Sequence, residues 1–140
     1  MATRSRIAIE KANGTVESIY CHWDGYPENN GIILDEHYTD EKKVQSLIDL
    51  GDISSLRLNV EAPEGHSFES PDEETTVAYG RDRGEKNVDK KLHDSVNDFF
   101  DGDIEEYGYI FTRDGEWLVK SAYGFPAKPE TVADALEIIS

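Results

Sequence analysis

The sequence predicts an α+β fold: a mainly antiparallel sheet of about five strands with about four short helices. Three observations carry it. Asn13-Gly14 and Asp114-Gly115 are each flanked by strand-like runs, and such dipeptides close tight hairpins because their backbones reach positive φ. Between the hairpins, apolar residues recur at helical spacing. The strands follow one another through hairpin turns more often than through helical crossovers, which favours antiparallel pairing.

In order, Ile7 and Ile9 alternate with Arg6, Ala8 and Glu10, the period of a half-buried strand. After the Asn13-Gly14 turn, residues 15–23 place Ile19, Cys21 and Trp23 on one face and Tyr20 and His22 on the other. Cys21 and His22 therefore point apart and do not form a nucleophile and base pair. Ile33, Leu34, His37 and Tyr38 form one helical stripe, with His37 and Tyr38 on its apolar side. Thr39 or Asp40 caps a second helix whose buried face is Val44, Leu47 and Ile48 and whose end is Gly51.

Residues 61–74 hold six carboxylates, several Pro, Gly and Ser, and no Lys or Arg, the composition of a mobile loop. Strand character resumes over 75–80, with Val77 and Tyr79 on one face. Val88, Leu92, Val96, Phe99 and Phe100 then predict a helix from Asn87 or Asp89 to Phe100. Six more carboxylates without a base fall in 94–106. The second hairpin joins 107–112 to 116–123, and Pro126 and Pro129 precede a final helix carrying Val132, Ala135, Leu136 and Ile139.

At 140 residues the chain reads as a single domain, 1–140. Thirty acidic against fourteen basic side chains give a net charge of −16, which disfavours direct binding to the nucleic-acid backbone and fits either a basic partner or simple solubility. One cysteine, Cys21, rules out an internal disulfide. The apolar run after Arg6 is too short for a signal peptide, and no window approaches a membrane span, so the expectation is a cytoplasmic protein.

Two segments stand out as recognition chemistry. His22, Trp23, Asp24 and Tyr26 follow a strand, and Tyr79, Arg81, Asp82, Arg83 and Glu85 follow another, in the only dense cationic patch of the chain. If the two strands run parallel, their exits share an edge and the loops meet. Aromatic rings stack on bases and Arg forks bind phosphate, so the joined loops would suit a nucleotide-like or phosphorylated ligand. Arg81 and Arg83 would hold phosphate, Trp23 and Tyr26 would stack, and Asp24 or His22 would read polar edges. The same charges could instead form surface ion pairs only. The four histidines lack metal-ligand spacing, and no nucleophile elbow, phosphate-cradling glycine loop or kinase signature occurs. No cofactor, metal ligand or catalytic residue is expected.

Met1-Ala2-Thr3-Arg4-Ser5, Tyr20-Cys21-His22-Trp23-Asp24-Gly25-Tyr26-Pro27, Leu50-Gly51-Asp52-Ile53-Ser54-Ser55-Leu56 and Ala78-Tyr79-Gly80-Arg81-Asp82-Arg83-Gly84-Glu85 resemble a family of small, acidic, mostly uncharacterised proteins of tailed phages and prophages. The resemblance implies an accessory protein in the host cytoplasm, countering host defence by sequestering a nucleotide signal or by blocking a host protein. The leading expectation is ligand capture. The alternatives are an acidic, nucleic-acid-mimicking inhibitor of a basic host protein and a phosphodiesterase-like enzyme.

Overall fold

The computed structural model describes residues 2–139; Met1 of the first motif lies outside them. The fold is α+β, with eight strands in one mixed sheet and five helices among the described residues, larger than the sheet expected from sequence. Strands β1 (Ser5–Glu10) and β2 (Val16–Cys21) form the first hairpin, in register from Ser5 opposite Cys21 to Glu10 opposite Val16. Asn13 shapes its turn by accepting from the Thr15 amide and hydroxyl, and Gly14 supplies φ +88°. The second hairpin pairs β6 (Tyr107–Phe111) with β7 (Trp117–Ser121). The two hairpins join through β1 and β6, which run parallel, so the sheet is mixed, with antiparallel pairings still outnumbering parallel ones.

On the other side of β2 lie two short strands that share its edge. Strand β3 (Ile53–Ser55) runs parallel to the end of β2, and β5 (Lys91–His93) runs antiparallel to its beginning. Between them the Tyr20 amide meets no strand and donates to the Asp52 carboxylate at 2.9 Å. Strand β4 (Val77–Ala78) pairs antiparallel with β3, and β8 (Glu130–Thr131) pairs with β7 at the far edge.

Alternation along the strands builds two cores. Ile7, Ile9, Ile19, Cys21, Ile53, Tyr109, Phe111 and Val119 meet helices α1 (Ile32–His37), α2 (Glu41–Asp49) and α5 (Val132–Ile139) through Leu34, Val44, Leu47, Ile48, Val132 and Ala135. A π-helical turn, Pro27–Gly31, leads into α1. Tyr38 is wholly buried, its hydroxyl donating to the Arg57 carbonyl at 2.6 Å, and burial pushes its pKa up to about 12. His37, expected beside it on the apolar side, is exposed. On the opposite sheet face, Ala8, Val16 and Ile110 pack against Phe99, Phe100 and Ile104.

The helix expected from Asn87 or Asp89 to Phe100 is shorter. Helix α4 (Val96–Asp101) starts at Ser95, whose hydroxyl accepts from the Asp98 amide at 3.1 Å, a cap worth about 1 kcal/mol. The residues before it extend instead, because the open edge of β2 offers the backbone of 91–93 a ladder. Leu92 consequently points outward and is 71% exposed.

Candidate functional site

The expected meeting of the two motif loops depends on parallel strands, and the topology corrects it. Strand β2 is parallel to β3, and β3 is antiparallel to β4. Strands β2 and β4 therefore run in opposite directions; Cys21 and Ala78 end level with each other across Ile53, and the segments that follow them head in opposite directions.

The first segment is clamped. The amides of His22 and Trp23 donate to the carbonyls of Ile53 and Ser54, extending the β2 and β3 pairing past Cys21. Asp24 takes a left-handed φ of +56°, and Gly25 packs so closely on the N-terminal strand that a Cβ would lie 2.7 Å from that of Ser5. The Gly25 amide donates to the Thr3 carbonyl, and its carbonyl accepts from the buried Tyr109 hydroxyl at 2.6 Å. Trp23 and Tyr26 remain 43% and 38% exposed, and Asp24 is also exposed. His22 shares a 2.7 Å hydrogen bond between Nδ1 and the Tyr20 hydroxyl and meets the Trp23 ring edge-on at 4.7 Å.

The second segment folds into helix α3 (Tyr79–Arg83), closed by Gly84 at φ +73°. Its residues divide by direction. Arg81 and Asp82 turn inward, forming a clasp with the acidic loop. The Arg81 guanidinium donates to the Val60 and Thr76 carbonyls and to Asp82. Asp82, with its side chain only 3% exposed, also accepts from the Ala78 amide at 2.8 Å and faces His66 Nε2 at 3.0 Å. The Asp72 amide donates to His66 Nδ1, which leaves the ring proton on Nε2 for Asp82. Burial by itself would raise the Asp82 carboxyl, but the donors Arg81, Ala78 and His66 outweigh it and hold the pKa at about 2. These bonds correct the phosphate-holding role expected of Arg81, since its donors are committed to the fold. They also tie down the 61–74 segment expected to be mobile.

Arg83 and Glu85 face outward. They pair with each other, with side chains 48% and 41% exposed. The Arg83 Cζ lies 4.4 Å from the Phe68 ring centre and 4.9 Å from that of Tyr79, while the two rings are 5.8 Å apart and inclined by 32°. A cleft of about 460 Å³ beside them is lined by Ser67, Phe68, Glu69, Asp82 and Arg83. No residue of the 22–26 loop lines it. Burial raises the Tyr79 phenol pKa, against the effect of the neighbouring Ser54 side chain and Arg83.

Sequence reasoning missed Phe68, the single aromatic residue in the acidic 61–74 block, and its isolation there was the available signal. It also missed a polar group on β1 and β2. Arg6 donates to the Ser18 hydroxyl at 3.1 Å; burial lowers its pKa despite the nearby carboxylates of Asp52, Glu105 and Asp103. Burial raises both Asp52 and Glu105. A cleft of about 630 Å³ between α2 and the acidic loop includes Lys43, whose ammonium is already bound to the His37 and Leu58 carbonyls.

Among the described residues, no cluster of three or more His, Cys, Asp or Glu side chains is placed to hold a metal ion, and no helix is long and apolar enough to cross a membrane. Cys21 is buried, and desolvation pushes its thiol pKa up to about 11, the opposite of what a nucleophile needs. The fold and site thus define an α+β domain with an acidic, aromatic-bearing surface. Comparison of the chain with protein-family models, curated proteins and solved structures finds no match.

Proposed function

We propose that the chain is a non-catalytic binding protein, of the phage accessory kind its motifs resemble, that occupies a basic surface of a host protein. The observation that carries this reading is the state of the acidic loop. All six carboxylates of 61–74 are exposed, and none forms an ion pair among the described residues. The loop is also held in shape. Across its neck the Asn59 amide donates to the Glu74 carbonyl and the Thr76 amide to the Asn59 carbonyl, Arg57 donates to the Asp72 carbonyl at 2.8 Å, and His66 pins its interior to α3. Charges on a fixed frame lose little entropy on docking, and unpaired carboxylates steer a cationic partner into contact.

The test is competition. A basic, nucleic-acid-binding host protein captured by this chain should be released by duplex DNA, and Glu69→Lys with Glu73→Lys should weaken capture at least tenfold. Capture that is indifferent to both sinks the reading.

Capture of a nucleotide-like ligand is a second reading, favoured by the Arg83 and Phe68 cleft. It requires thermal stabilisation of the protein by at least one nucleotide, lost in Arg83→Ala. A flat nucleotide panel removes it.

A further inference from the structure

We propose that the Phe68 and Tyr79 rings form a receptor for an arginine side chain of the basic partner, held closed in the free protein by the chain's own Arg83. This rests on the acidic-binder reading and names the contact at its centre. The rings already hold a guanidinium, at 4.4 and 4.9 Å, so the site's chemistry is displayed by its present occupant. Planar, weakly hydrated guanidinium stacks on aromatic faces and forks onto carboxylates, which an ammonium does less well.

The occupant is weakly held. Arg81 has three residues of the fold as acceptors, Val60, Thr76 and Asp82, whereas among the described residues the hydrogen bonding of Arg83 consists of the ion pair with Glu85, exposed on both sides. Such a pair contributes little. Arg83 also ends α3, next to the left-handed Gly84, so swinging its side chain out disturbs no helical turn beyond it. An incoming arginine would take over both the rings and the Glu85 carboxylate, with Glu69 on the rim of the same cleft. Arg83 is in this sense an internal stand-in for the partner.

The experiment measures fluorescence anisotropy with labelled nona-arginine and nona-lysine, which carry equal charge, against the full chain at near-physiological salt. The wild type should prefer nona-arginine by about threefold or more, the scale of one cation–π contact. Arg83→Ala should widen that preference. Lys86→Ala removes the same charge from an exposed position and should leave the preference unchanged. Phe68→Leu keeps an apolar side chain and should abolish the preference, with denaturant unfolding confirming that the fold persists. An Arg83→Ala variant whose preference stays the same or shrinks, or a Phe68→Leu variant that keeps it, overturns the clamp while leaving the acidic surface standing. Failure of the wild type to bind either peptide overturns the acidic-binder reading itself.

Discussion

Arg81 and Arg83 stand two positions apart on one five-residue helix, in one basic motif, yet they do different things. Arg81 spends its donors on two backbone carbonyls and a carboxylate that is 3% exposed, closing the acidic loop onto the sheet. Arg83 rests on two aromatic rings and one exposed carboxylate. The difference teaches that a charge cluster in a sequence can be half scaffold and half surface, with the direction of each side chain on the helix deciding which.

That contrast is breakable by mutation. The largest effect belongs to Asp82→Ala, which strips the acceptor from Arg81, the Ala78 amide and His66 together; each hydrogen bond to a charged group is worth about 1.5 to 3 kcal/mol, so the loss should exceed that of any single partner, read as a drop in unfolding free energy. Arg81→Ala should cost about 2 kcal/mol in the same urea titration, because the Val60 and Thr76 carbonyls lose their guanidinium donor. Acid provides an independent check. Asp82 has its folded pKa depressed to about 2, so its stabilisation is complete above the ordinary carboxylate pKa near 4 and is lost as the pH falls from there toward 2. Wild-type unfolding free energy should fall across that window, and the fall should be shallower in Asp82→Asn. The smallest effects belong to the outward pair. Arg83→Ala should change stability by less than about 1 kcal/mol, and Glu85→Gln by about 0.5 kcal/mol or less. Equal destabilisation by Arg81→Ala and Arg83→Ala would erase the distinction.

Much of the fold was legible wherever local chemistry decided it. Asn13-Gly14 and Asp114-Gly115 close hairpins, and Val44, Leu47 and Ile48 are the buried face of α2. The parallel joining of β1 to β6 was not legible, because it links residues about a hundred positions apart with no turn to announce it. Nor was β3: three residues gave too short an alternation, and Asp52, which bridges the gap in the ladder beside it, reads in sequence as a turn former. Leu92 misled because its helical spacing from Val88 and Val96 is real, while the unsatisfied edge of β2 determined the backbone. At the site, residue types identified α3 as unusual, but the opposite orientation of β4 and the inward turn of Arg81 are tertiary facts. The His66 and Asp82 bond joins segments that composition treats as unrelated.

Hydrogen exchange on the full chain with and without saturating nona-arginine tests the central claim most directly. Slowed exchange should concentrate in 66–74 and 83–86, where the carboxylate loop and the aromatic clamp lie together. Protection confined to 22–26 or 94–106, with 66–74 unchanged, would contradict it.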